Sequence, residues 1–150
     1  KSNDRFEWFL EKATEIGINE ITPIVCDNTE RKVLKLDRMY KILVSAMKQS
    51  KRAFLPKLNE VTFFKDFIQS TFEEKCFIAH CEEGEKLNLK DSLTKGENTL
   101  ILIGPEGDFS NNEIKQAKEH NFTAVSLGTS RLRTETAGVV ACHTVNLINQ

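Results

Sequence analysis

Two stretches of the 150-residue chain carry side chains whose types and spacing could do chemistry. The first, "LILIGPEGDFSNNE" from Leu100 to Glu113, passes from an apolar strand through a glycine-bearing turn into a helix start, an arrangement that often cradles a phosphate. The second, "SLGTSRLRTETAG" from Ser126 to Gly138, sets Gly128, Arg131, Arg133 and Glu135 between a strand end and the last helix. Guanidinium groups at such a turn suit negative charge that develops during a reaction, and a neighbouring carboxylate can take a proton or orient an arginine. Residue by residue, a solvated basic turn and a first-turn acid favoured by the helix dipole explain the same letters.

The phosphate reading fails on the residues present. A P-loop needs GxxxxGK[ST], and no Lys-Ser or Lys-Thr follows Gly107; "GPEGDF" also lacks the GxGxxG dinucleotide fingerprint. Pro105 removes a backbone donor from the turn, and Glu106 adds a negative charge. The loop therefore suits a ligand with little negative charge. Taken alone, Gly104-Pro105 serves equally as a tight strand-to-helix turn.

The elements that must position these loops follow from periodicity. "NDRFEWFLEKATEIG" places Phe6, Phe9, Leu10, Ala13 and Ile16 at helical spacing, with Asp4 and Glu7 as a capping box and Gly17 at the end. "EITPIVC" reads as a strand, "LDRMYKILVSAMKQSKR" as a helix, "KLNEVTF" as a strand, "FKDFIQSTF" as a short helix and "KCFIAHC" as a strand running into a charged loop, "EEGEKLNLKDSLTKGEN". "TLILIG" is apolar throughout, which predicts burial on both faces. Ser110 and Glu113 form a second capping box before "NNEIKQAKEHN", "TAVSL" is another strand, and "TETAGVVACHTVNLINQ" closes the chain as a helix. This alternation predicts one α/β domain with a mostly parallel sheet covered by helices on both faces. Ligands then belong beyond the carboxyl ends of strands, in the loops after "FIAH", "LILIG" and "VSLG".

Composition narrows the function classes. With 21 Lys and Arg against 22 Asp and Glu the formal net charge is −1, so any nucleic-acid binding must use local patches. The cluster Lys48, Lys51, Arg52 and Lys57 is the candidate phosphate-contacting patch, a solvated helix end being the plain alternative. No apolar run approaches the roughly 18 residues of a membrane span, and no signal segment opens the sequence, which predicts a cytoplasmic protein with no membrane partner. Cys26, Cys76, Cys81 and Cys142 form no CxxC pair and no zinc spacing with the histidines, predicting buried reduced thiols and no metal. His80 ends a strand, where an exposed loop histidine is the common case, and His120 and His143 fall within helices.

"KATEIGINEITPIV", "AMKQSKRAFLPKL", "LILIGPEGDFSNNEI" and "SLGTSRLRTETA", in that order along nearly the whole chain, resemble the small-subunit (16S) ribosomal RNA uridine-N3 methyltransferases of the SPOUT superfamily. The resemblance implies S-adenosylmethionine as methyl donor, a homodimer, and a carboxyl-terminal trefoil knot, a topology that connection rules alone would not predict. It implies a SPOUT domain over residues 1–150, without the small RNA-binding β-barrel that precedes this domain in the family. It places the donor on Ala79 and His80, on Ile103, Gly104, Glu106 and Gly107, and on Ser126, Leu127, Gly128, Leu132 and Arg133, mostly through main-chain groups. The family usually reads "GPEGGF"; here Asp108 stands for the second glycine, and aspartate tolerates a positive φ less readily than glycine.

With that substrate, the uracil imide nitrogen must lose its proton and negative charge develops on the flanking carbonyl oxygens. Arg133 is the leading candidate to stabilise that charge and Arg131 the second. Glu135 either accepts the imide proton or orients an arginine. The substrate is small-subunit ribosomal RNA or the assembled subunit. The alternatives are a SPOUT enzyme acting on a ribose 2′-hydroxyl and a ribosome-assembly module that binds RNA without catalysis.

Overall fold

The computed structural model describes residues 2–30 and 34–150. Its first helix, α1 (Ser2–Ile16), buries Leu10, Ala13 and Thr14 and ends where the Gly17 and Ile18 N–H groups both donate to the Ala13 carbonyl. The expected Asp4–Glu7 capping box is not what forms. The helix begins two residues earlier, and Glu7 instead accepts from the Arg38 guanidinium of α2 (Leu36–Gln49). α2 places Met39, Leu43 and Ala46 inward, and Met39 and Leu43 share one apolar cluster with Leu10 and Ile21.

Each of the two expected early strands is broken in two. β1 (Glu20–Ile21) and β2 (Ile24–Val25) flank Thr22-Pro23, and β3 (Lys57–Leu58) and β4 (Thr62–Phe63) run beside them in parallel, Glu20 opposite Lys57 and Ile24 opposite Thr62. Proline has no N–H for a ladder. At the break the Pro23 carbonyl still accepts from Thr62, and Asn59 spans the gap by donating to Thr22 Oγ1 at 2.7 Å and Glu20 Oε1 at 2.9 Å. A single turn, α3 (Phe64–Phe67), then leads into the main sheet.

That sheet is four-stranded and parallel. Its order is β6-β8-β5-β7, formed by β5 (Lys75–Ala79), β6 (Leu87–Asn88), β7 (Thr99–Ile103) and β8 (Thr123–Ser126). β6 and the following turn α4 (Leu89–Ser92) lie inside the stretch expected to be a charged loop; Leu89 is fully buried and the Asn88 side chain caps the turn by accepting from the Lys90 N–H. One face of the sheet carries Ile78 and Leu102 against Phe64, Ile68 and the α5 (Asn111–Glu119) residues Ile114 and Ala117. The other carries Phe77, Val125, Ile101 and Ile103 against Leu89 and Ala141 of α6 (Thr134–Ile148). β7 thus packs on both faces, as its unbroken apolar run predicts, although it is an edge strand.

α1 bridges the two parts of the chain by packing on both α2 and α6. The approach to α6 depends on Gly138, where a Cβ would sit 2.7 Å from Phe9 Cε2. This contact seats the middle of α1 on the first turns of α6, and Arg5 then reaches Glu135, which matters for the site.

Candidate functional site

Sheet register aligns three loop origins. Ala79 pairs with Ile103 on one side and Val125 on the other, so β5, β7 and β8 end side by side and release His80, Gly104 and Leu127 from one edge. The three loops foreseen as ligand-bearing are therefore neighbours.

The middle strand's loop begins at His80, whose Nδ1 and Nε2 are both buried and without a hydrogen-bond partner among the described residues. This departs from the exposed histidine expected at a strand end. Burial, with a smaller contribution from the Lys86 ammonium, lowers its pKa below the ordinary 6.5. Lys86 Nζ donates to the His80 and Glu82 carbonyls at 2.7 and 2.6 Å, folding the loop around the ammonium. Cys81, next along, has an exposed side chain, unlike the buried thiol expected. Cys26 is buried and pushed up to about 12, and Cys142 to about 11, both by desolvation first.

The loop after β7 is tied down from several directions. Gly104 is buried tightly beneath Phe109: a Cβ added there would lie 3.1 Å from the Phe109 N, and the Phe109 segment would have to shift to admit it. The turn closes where the Asp108 N–H donates to the Pro105 carbonyl at 2.8 Å, with Asp108 at φ 65. Asn28 Nδ2 donates to the Gly107 and Asp108 carbonyls at 3.1 and 3.0 Å. Below the turn the expected Ser110–Glu113 capping box is present, and Glu113, 3% exposed, also accepts from the Asp27 N–H while Ser110 Oγ donates to Asp27 Oδ2. Glu106 is exposed and accepts from Arg5 of α1 at 3.1 Å.

The loop after β8 is looser. Ser126 Oγ accepts from the Gly128 N–H and donates to the Gly128 carbonyl, and nothing lies within 4 Å of a Cβ placed on Gly128. Leu127 packs into the core beneath, Leu132 is half-buried, and Arg131 and Arg133 are exposed. Arg133 is the N-cap of α6 in extended conformation, offering its carbonyl to the helix and no side-chain bond to it. Neither arginine forms an ion pair among the described residues. Glu135 lies 3.9 Å from Arg5 Nε, so the arginine it faces is neither of the two expected. Arg5 therefore joins the β7 loop, through Glu106, to the first turn of α6, and these two carboxylates raise its pKa, the Glu106 hydrogen bond most. No sequence signal marks Arg5, since its partner is 101 residues away.

The basic cluster divides. Lys48 and Lys51 are exposed at the end of α2, and Lys57 lies 3.6 Å from Glu20. The Arg52 guanidinium donates to the Glu15 and Ile16 carbonyls, satisfying the otherwise unpaired end of α1 and complementing its dipole. That bonding makes the exposed side chain a helix cap. Among the described residues no three His, Cys, Asp or Glu side chains gather as a metal site, and no helix is long and apolar enough to cross a membrane.

Comparison with known proteins matches residues 1–146 to the model of the RNA methyltransferase domain family. The chain is 35% identical over 140 residues to the ribosomal RNA small subunit methyltransferase E of Mesomycoplasma hyopneumoniae, covering 89% of this chain and 60% of that protein. A solved probable rRNA-methyltransferase from Porphyromonas gingivalis superposes with a TM-score of 0.93 at 41% identity, over 99% of this chain and 64% of that one. A ribosomal RNA small subunit methyltransferase E from Neisseria gonorrhoeae, solved bound to S-adenosyl methionine, superposes with a TM-score of 0.84 at 28% identity, over 97% and 62% of the two chains. The chain thus spans about three-fifths of the length of these relatives. By its matched family model over residues 1–146, this chain belongs to the RNA methyltransferase domain family.

Proposed function

We propose that the chain is the donor-binding and methyl-transferring part of an enzyme that methylates the N3 nitrogen of a uridine in small-subunit (16S) ribosomal RNA. The observation that carries this reading is the alignment of Ala79, Ile103 and Val125, which sets three loops at one sheet edge beside Arg131 and Arg133. The chemistry of that edge fits S-adenosylmethionine. Its loops present Pro105 without an N–H and Glu106 with a negative charge, unsuited to polyphosphate and compatible with a sulfonium cation. The two unpartnered buried nitrogens of His80 call for a polar ligand group, and bare Gly128 leaves backbone open to a nucleoside edge.

When bound, the donor supplies an electrophilic methyl group whose sulfur leaves neutral. Ala79, His80, Ile103, Gly104, Glu106, Gly107, Ser126, Leu127, Gly128, Leu132 and Arg133 are the residues that hold it. The uracil imide gives up its proton to solvent, and the chain's further task is to favour the resulting anion. Arg133, exposed and free of any ion pair among the described residues, stabilises the anionic carbonyl oxygens, and Arg131 supports it or meets a neighbouring phosphate. Glu135, facing Arg5, acts by fixing the start of α6 beneath Arg133.

The rest of the reading concerns assembly. The end of the chain threads a trefoil knot, and the working unit is a homodimer, for which Trp8 on α1 (43% exposed) and Leu147 on α6 (55%) offer apolar surface to a second copy. A separate β-barrel, as in the family, holds RNA, aided by Lys48 and Lys51. The test is methyl transfer by the full-length protein to intact small subunits and to naked RNA, read by nucleoside mass analysis. The expected product is N3-methyluridine; a ribose-methylated nucleoside, or no product from a donor-bound protein, would overturn the assignment.

A further inference from the structure

Asp108 occupies backbone that L-residues rarely adopt. At φ 65 it sits in the left-handed region, where a side chain costs roughly 1 kcal/mol and glycine nothing. Both oxygens of its carboxylate accept a hydrogen bond. Oδ2 accepts from the Cys81 N–H at 2.8 Å, and Oδ1 accepts from the Phe109 N–H at 2.8 Å. Both are charge-assisted N–H···O⁻ bonds at the short end of the normal range.

The first of these bonds joins two of the three loops. β5 and β7 are paired in register only as far as Ala79 and Ile103, after which no ladder couples their chains. Asp108 restores a link two residues beyond Ala79. Its own backbone is held by the Pro105 carbonyl and by Asn28, so the carboxylate stands on a fixed base. On the other side, Lys86 holds the carbonyls of His80 and Glu82. The peptide that carries the unpartnered His80 ring is thus fixed against the Gly104–Gly107 turn.

Resting on the donor reading above, we propose that Asp108 is a positioning residue: its carboxylate latches the His80–Cys81 backbone to the loop after β7, so that the two loops meet the donor as one preformed surface. A preformed surface avoids the ordering cost that two independent loops would incur on binding.

The test titrates S-adenosylmethionine calorimetrically into this chain and its variants and follows amide exchange at Cys81. Asp108→Gly, which relaxes the backbone while deleting the latch, is expected to weaken donor binding about tenfold, the size of one charge-assisted bond. It should also accelerate exchange at Cys81, while the relieved positive φ offsets part of the stability lost with the two bonds. Asp108→Asn, which tolerates the same φ and keeps one acceptor oxygen, is expected to hold affinity within about threefold of the parent and so to rescue most of the loss. Equal donor affinity in Asp108→Gly and the parent, or unchanged Cys81 exchange, overturns the latch, as does an Asn variant no better than Gly. A parent chain that binds no donor overturns the proposed function instead, and Cys81 exchange in Asp108→Gly then decides the latch alone.

Discussion

The loops after β7 and after β8 leave the same sheet edge and are built on opposite plans. The first is held from α1 by Arg5, from the β2–α2 connection by Asn28 and Asp27, and from beneath by buried Glu113. The second has a local Ser126–Gly128 turn, then exposed Arg131 and Arg133 with no ion pair among the described residues. A loop that must present its backbone to a ligand gains by being preformed, since ordering it on binding would cost affinity. Charged side chains that must meet a substrate arriving from solvent gain by remaining free, because a standing ion pair would have to break first. Under the proposed function, the difference divides labour between a preformed donor surface and the free arginine side chains that meet the substrate.

The largest effect expected follows from the free loop. Arg133→Ala should lower the single-turnover methyl-transfer rate by about a hundredfold, the loss typical of one charge-stabilising group of roughly 3 kcal/mol. Thermal stability should be unchanged, because the side chain is exposed and does not cap its own helix. Undiminished turnover with donor still bound would remove Arg133 from catalysis and with it the division of labour.

On the tethered side the reverse pattern is expected, stability first and rate second. Glu113→Ala deletes the acceptor for both Ser110 and Asp27 N–H groups at a position 3% exposed, and should cost about 2 kcal/mol in denaturant unfolding. Glu113→Gln, which keeps an acceptor oxygen and the cap, should lose less. Asn28→Ala follows at about 1 kcal/mol or less, since the Gly107 and Asp108 carbonyls it releases are exposed and can turn to water. Its clearer signature is faster proteolysis within residues 104–109. A stable, protease-resistant Asn28→Ala would show that the clamp is redundant with Arg5 and Asp108.

How much of this was legible in the sequence depends on how far each interaction reaches. The Ser110–Glu113 box, the apolar run of β7 and the closing helix are local patterns, and the residues announce them. Asp4–Glu7 has the same spacing, with Asp where the other has Ser, and forms no box, because Arg38 competes for Glu7 from 31 residues away. β6 and α4 were hidden in a charged stretch since their signal is little more than Leu87 and Leu89 between polar neighbours. Arg5, which ties Glu106 to Glu135, is one more arginine on a helix until the fold brings three distant segments together. The loops were foreseeable as loops; what braces them was not.

His80 gives the smallest and most discriminating prediction. Its ring nitrogens are buried and unpartnered, and desolvation, then Lys86, lowers its pKa, while Asp108 acts in the opposite sense. A lowered folded-state pKa means the unfolded chain binds the extra proton first, so stability is full above about pH 6.5 and declines as acid carries the pH down toward the folded value. A thermal-melt series from pH 7.5 to 5 should show that decline, and His80→Gln, which cannot charge, should flatten it. Saturating donor should change the depth of the decline and the pH at which it ends, because a ligand group bonded to the ring changes the folded-state pKa while the unfolded chain still sets the onset. A decline of unchanged depth and end point with donor bound would place the imidazole outside the ligand surface, and the middle loop would then contribute backbone alone.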